Sequence, residues 1–139
     1  MNLQAQWIVG FVDGEGCFHI GINENKFTNT KYQVLPEFVI TQHKRDIKLL
    51  YALKTYFGCG VVRCNKRKGT NVYCYRVRKH DDLFNKIIPF FEKHQLKTIK
   101  RVNFQKFRKV LLLINKKEHL TLDGLTEIKK IKANINKIS

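Results

Sequence analysis

The sequence predicts an α+β domain spanning residues 1–139, an antiparallel β-sheet saddle with helices on one face, in the order αββαββα. Three observations predict it. Two pairs of segments alternate apolar and polar residues with the period of a half-buried strand; a segment with helical period precedes each pair; and glycines separate each helix from the hairpin after it. The chain thus repeats one helix-hairpin unit before its carboxy-terminal helices.

The first helix is expected over 3–14, where Leu3, Trp7, Ile8, Phe11 and Val12 recur at helical spacing. From Cys17 to Asn23 the period falls to two, with Phe18, Ile20 and Ile22 on one face and Cys17, His19, Gly21 and Asn23 on the other. Gln33 to Gln42 forms the partner strand, with Val34, Phe38 and Ile40 in phase and Pro36 tolerable near an edge or bulge. A second helix covers 46–57 and stops at Gly58-Cys59-Gly60. The second hairpin is expected over 61–67 and 72–78 around Lys68-Gly69-Thr70-Asn71. Its alternation puts Val62, Cys64, Tyr73, Tyr75 and Val77 inward and leaves Arg63, Asn65, Arg67, Cys74, Arg76 and Arg78 outward. Helices over 81–93, 97–115 and 121–135 follow, the last capped by Thr121 with Asp123 in its first turn.

The charge is concentrated. The chain of 139 residues holds 27 Lys and Arg against 11 Asp and Glu. Residues 1–60 carry six cations and five acids, whereas residues 61–79 carry seven cations and no acid. Such a stretch repels itself unless an anion faces it, and nucleic acid is the anion that a cationic hairpin suits, because a major groove admits a two-stranded β-ribbon. A membrane surface instead selects a basic amphipathic helix. The longest apolar run, Val110 to Ile114, is far short of the ~20 residues that span a bilayer, so no membrane partner is expected. Cys17, Cys59, Cys64 and Cys74 show no C-x-x-C pair and no histidine at zinc-ligand spacing, and read as small apolar residues of a reducing compartment. No targeting segment is visible at the amino terminus. Lys, Asn and Ile make up 44 residues, as an AT-rich genome produces, so expression within an organelle (chloroplast or mitochondrion) or a prokaryotic cytoplasm is expected.

Residues 8–16, Ile-Val-Gly-Phe-Val-Asp-Gly-Glu-Gly, carry the chemistry. Gly10 and Gly14 form a flat stripe on a helix, although each glycine costs ~1 kcal/mol relative to alanine. Asp13 and Glu15 crowd two carboxylates at the helix's carboxy-terminal end, against its dipole. Close packing of a second helix would explain the stripe, and a divalent cation the acids, since Mg²⁺ commonly takes one or two carboxylates with water and phosphate; a Gly-rich helix C-cap with a solvated acid explains the same residues without a ligand.

This nonapeptide resembles the signature of the LAGLIDADG homing endonucleases. Gly10, Asp13 and Gly16 match outright, Ile8, Phe11 and Val12 match in kind, and Glu15 stands where the last acid belongs. The resemblance runs on through Phe-Val-Ile-Thr-Gln at 38–42, the Gly58-Cys59-Gly60 turn, Pro89-Phe90-Phe91 and Leu96-Lys97-Thr98. It implies an intron-encoded enzyme that cuts both strands of a long pseudo-palindromic DNA site as a homodimer, the two motif helices packing through Gly10, Asp13 and Gly14. It implies Mg²⁺ as cofactor, with Mn²⁺ substituting and Ca²⁺ binding without supporting cleavage. Glu15 is the implied metal ligand, helped by the Gly14 carbonyl, while Asp13 braces the helix end. Gln42 corresponds to a residue that orders water and phosphate, and Lys97 to a lysine that polarises them, with Lys93 and His94 as alternatives in that register. A further basic residue falls at Arg45, although a gapless alignment chooses Asp46.

For recognition the outward sets are His19, Asn23 and Gln33 from the first hairpin and Arg63, Asn65, Arg67, Arg76 and Arg78 from the second. Arg suits guanine O6 and N7, and Asn or Gln suits adenine N6 and N7. Glu37 also faces outward, where it accepts from cytosine or meets solvent. The competing reading is a nucleic-acid-binding module without cleavage, such as a maturase that binds intron RNA. Retention of an acid at position 15 favours the enzyme.

Overall fold

The architecture follows from how each segment hides its apolar side. The computed structural model describes residues 1–135. Ten elements order the chain: α1 (Ala5–Glu15), β1 (Gly16–Glu24), β2 (Tyr32–His43), α2 (Ile47–Phe57), β3 (Val61–Cys64), β4 (Val72–Val77), α3 (His80–Asp82), α4 (Ile88–Lys93), α5 (Lys100–Asn115) and α6 (Leu122–Asn134). The two hairpins join edge to edge into one antiparallel sheet in the order β1-β2-β4-β3. The predicted α+β class and the helix-hairpin repeat are both present.

One face of the sheet supplies Phe18, Ile20, Val34, Phe38, Ile40, Tyr75 and Val77 to the core, all buried. Helices cover this face with Ile8, Val9 and Val12 of α1, Leu50 and Leu53 of α2, Phe91 of α4 and Phe104 and Phe107 of α5. Phe18 is the hub. Its ring lies 5.2 Å from Phe38, 5.7 Å from Phe91, 5.4 Å from Phe104 and 5.2 Å from Phe107. Full burial of each such side chain contributes about 1.5–3 kcal/mol, and the ring pairs add to that.

Local chemistry sets the boundaries. Pro36 is buried in the middle of β2, but β4 pairs with β2 only from Phe38 to His43, so at Pro36 one side of the strand is open. Gly58 ends α2 in the left-handed region at φ 68°, as its glycine predicts. The segment 81–93 is not one regular helix: α3 passes through a π-helical turn, Leu83–Ile87, into α4. Pro89 stands at the start of α4, and the widened turn before it absorbs a residue that lacks an N–H and crowds the preceding turn. The Thr121 hydroxyl accepts from the Gly124 N–H and caps α6.

Two sequence expectations are corrected here. Trp7 is not core; it is 46% exposed and stacks on Phe11 at 5.0 Å, on the outer side of α1. β3 ends at Cys64 rather than at 67, because Lys66–Lys68 winds into a 3-10 turn that Gly69 closes at φ 111°. Asn65 and Arg67 therefore leave the strand face and belong to the turn. Cys74 faces outward by register, as expected, opposite Arg63, and is only 6% exposed under its neighbours.

Candidate functional site

The face of the sheet away from the helices is read row by row from the register. Asn23 lies beside Gln33, Gly21 beside Leu35, and His19 beside Glu37. Cys17, Val39, Arg76 and Val61 form one row across all four strands, and Thr41, Cys74 and Arg63 form the next. This face gathers Arg63 and Arg76 with His19, Asn23 and Gln33, Arg78 follows the end of β4 at its margin, and the Lys66-Arg67-Lys68 turn lies at its β3–β4 end. The Arg76 Nε is buried with no acceptor among the described residues, an unfavourable state for a donor. Arg78 is different, because its Nε donates to Glu37 Oε2 at 2.6 Å.

At one end of this face α1 turns straight into β1. A Cβ on Gly16 would sit 2.7 Å from Val12 Cγ1, so only glycine permits the abrupt junction. The junction leaves Glu15 exposed as the last helical residue, immediately before the sheet. Gly10 and Gly14 are exposed too, and a Cβ on either meets nothing within 4 Å. Nothing in the packing of the described residues asks for glycine there.

Asp13 ties this end to α5. Its carboxylate accepts from the Lys97 N–H at 3.0 Å, from the Thr98 N–H at 3.1 Å and from the Thr98 hydroxyl at 2.8 Å. Burial pushes the Asp13 carboxyl up, but these hydrogen bonds and the Lys97 charge together hold it below its ordinary value. The Thr98 hydroxyl oxygen in turn accepts from the Lys100 N–H at 3.2 Å. The Lys100 ammonium then donates to the Gly16 carbonyl, one residue from Glu15.

Two lysines thus stand at the motif: the Lys100 ammonium reaches the Gly16 carbonyl, and the Lys97 charge acts on the Asp13 carboxylate. Lys97 offers its backbone N–H to Asp13, Lys93 ends α4 and the His94 ring packs on Phe90 at 4.9 Å. The residues 94–99 between helices are irregular, so sequence spacing alone could not fix which lysine returns; Thr98 was the available signal, a cap-type residue two positions before α5. Gln42 is half-buried and shares the parity of the core-facing Ile40, paired with Tyr73. It lies two residues beyond the Gly16–Ile40 pair, at the same end of the sheet as Glu15. Arg45 is exposed beyond β2, its N–H bonded to His43 Nδ1.

Among the described residues no three or more His, Cys, Asp or Glu side chains form a metal cluster. At this end Asp13 is taken up by its hydrogen bonds to Lys97 and Thr98, which leaves the exposed Glu15 carboxylate beside helix-end carbonyls that lack intrahelical partners. That donor set fits a hard cation whose remaining oxygens come from outside the chain, as water and phosphate. Burial pushes the Cys17 thiol up, with Lys100 opposing and Glu37 adding to the rise, so the cysteine beside this end stays protonated near neutral pH. No helix among the described residues is long and apolar enough to cross a membrane.

Comparison with known proteins meets the same geometry. The sequence profile of the LAGLIDADG endonuclease family matches residues 8–111. The crystal structure of a homing endonuclease, I-TnaI, superposes with a TM-score of 0.93 at 52% identity, covering 100% of this chain and 92% of that one. The I-SmaMI LAGLIDADG homing endonuclease bound to cleaved DNA gives a TM-score of 0.93 at 38% identity, covering 99% of this chain and 46% of that one. A Neurospora crassa protein described as "Probable intron-encoded endonuclease 3" is 35% identical over 127 residues, which is 91% of this chain and 24% of the relative. The chain spans about a quarter of the length of the first curated relatives it matches.

Proposed function

Because the chain belongs to the LAGLIDADG endonuclease family, we propose that it is a site-specific double-strand DNA endonuclease of the intron-encoded homing type, cutting a long pseudo-palindromic site as a homodimer by divalent-metal-dependent phosphodiester hydrolysis. One observation carries the reading: an exposed carboxylate, Glu15, closes a helix whose bare glycine stripe faces outward, at the end of a cationic sheet. A second copy packed on Gly10 and Gly14 brings two Glu15 side chains together about a two-fold axis, and each sheet then covers one half-site.

Within that assembly Glu15 and the Gly14 carbonyl hold the cation, for which Mg²⁺ is the choice because it keeps its waters and accepts few carboxylates. Mn²⁺ substitutes, and Ca²⁺ supports binding without the cut. The bound ion supplies activation of a water and neutralisation of charge on the phosphate. Lys100, held on the Gly16 carbonyl, sets its positive charge beside the scissile phosphate, and Gln42 orients water from the end of β2. Asp13 keeps Lys100 in place through Thr98. His19, Asn23, Gln33, Arg63, Arg76 and Arg78 read base edges, while Asn65, Arg67 and the turn lysines contact the backbone. The AT-rich composition and the intron-encoded relatives support expression inside an organelle.

The test is cleavage of a randomised duplex library with Mg²⁺, and with Ca²⁺ in parallel, for wild type and Glu15→Gln. The expected result is a staggered cut at one near-palindromic site that the variant loses while still binding it, because the substitution removes the ligand charge at constant volume. Selective binding by wild type without any cut overturns the enzymatic reading in favour of a binding module, and intron RNA is then the next ligand to test.

A further inference from the structure

The sheet face away from the helices carries one acid, Glu37, among its arginines, and an acid there is unfavourable if it meets a polyanion alone. Glu37 stands on β2 beside His19, one residue past Phe38, whose pairing with Val77 is the last between β2 and β4. Arg78 follows Val77, so it leaves the sheet at the same point, and its side chain is 60% exposed. A long side chain at a strand end has many rotamers, and ordering it on a ligand costs conformational entropy.

The Glu37 carboxylate removes much of that freedom. Oε2 accepts from Arg78 Nε at 2.6 Å, and the Glu37 side chain is itself only 19% exposed, so the anchor is more fixed than the group it holds. The pair does little for stability, because exposed ion pairs contribute about 0–1 kcal/mol. Its effect is directional. With Nε taken, the two Nη groups keep four N–H donors, and a fork of that kind matches guanine O6 and N7. The neutralised carboxylate also no longer opposes an approaching duplex. Arg76, two residues earlier on the same face, has no such anchor, and its Nε finds no protein acceptor among the described residues.

We propose that Glu37 is a positioning residue that pre-orients Arg78 to read a guanine, making the pair the specificity determinant for one base pair of each half-site. The proposal rests on the reading of this face as a DNA surface. It differs from direct readout of cytosine by Glu37, because the two side chains then act as one unit and lose the same preference.

The experiment selects bound sequences from a randomised duplex library in Ca²⁺ for wild type, Glu37→Gln, Arg78→Ala and the double variant, with thermal melting of each as a folding check. Wild type is expected to prefer guanine at one position of each half-site. Arg78→Ala should lose that preference about tenfold or more. Glu37→Gln should relax the same position and no other, and the double variant should be no worse than Arg78→Ala. Should Arg78→Ala fail to fold, Arg78→Lys serves, because it keeps the charge and removes the planar fork. An unchanged profile for Glu37→Gln, a change at a different base pair, or a uniform loss across all sequences for Arg78→Ala overturns the proposal while the DNA-binding reading stands. Absence of any sequence preference in wild type overturns both.

Discussion

Asp13 shows how a residue of the motif can brace the chain around Glu15 through hydrogen bonds of its own. Its carboxylate gathers two backbone N–H groups and a hydroxyl at the start of α5, where unpaired donors and the helix dipole both favour an anion. These contacts hold its titration below the ordinary value of 3.8, although burial works the other way. The sign of the linkage follows: a carboxyl depressed in the folded state stabilises it fully above the unfolded value, and the contribution disappears as pH falls through the folded one. Asp13→Asn turns an acceptor of three N–H or O–H donors partly into a donor, so it should lower stability at pH 7 by about 1 kcal/mol once solvent screening is allowed for. Urea unfolding of both proteins at pH 7, 5 and 3 checks this; the gap should persist at pH 5 and narrow at pH 3, and a gap unchanged at pH 3 contradicts the charge-based account. Glu15, Asp13 and the glycines are legible in the sequence because they lie within one nonapeptide. Lys100 is not, because its return to Gly16 depends on an irregular segment whose shape is set by Asp13 itself.

At the scale of elements, α1 is half a structure. Its inner side, Ile8, Val9 and Val12, is saturated by the core, while its outer side presents Trp7, Gly10 and Gly14 to solvent. A Cβ at position 14 meets nothing among the described residues, and leaving glycine gains helix propensity, so Gly14→Val should leave the melting temperature of the isolated fold unchanged or raised. The branched side chain should nonetheless hold two such helices apart. Sedimentation velocity should therefore show a folded monomer for the variant against the dimer proposed for wild type, and a variant that still dimerises as wild type does rules out packing through this stripe. The elements themselves were readable wherever burial is one-sided: β1, β2 and α2 end within one or two residues of their expected limits, because period and punctuation agree there. β3 and the 81–93 helix were not. The alternation of 61–67 is continued by polar residues that a 3-10 turn accommodates equally well, and Pro89 forces a π turn that no periodicity announces.

For the whole molecule the decisive quantity is where the charge lies relative to the two faces of the sheet. Helices on one face fill the core, so the other face of the sheet is left for a ligand, and the acid-free stretch 61–79 supplies that face with Arg63 and Arg76, its margin with Arg78 and its rim with Lys66, Arg67 and Lys68. Each cation that meets a phosphate releases counterions, and log affinity falls against log salt with a slope of about −0.9 per phosphate neutralised. If about half of the seven cations of this stretch contact phosphate, affinity for a non-cognate duplex should fall on the order of 10²-fold between 50 and 200 mM salt. Replacing Lys66, Arg67 and Lys68 with alanine should flatten that slope by up to about three units of phosphate contact, with the cognate preference intact, because a rim contact positions the duplex without reading it. Fluorescence anisotropy of a labelled duplex across the salt range measures both effects. An affinity that changes less than about fivefold would mean that the cationic face does not meet a nucleic-acid backbone, since no other binding term carries a comparable dependence on salt.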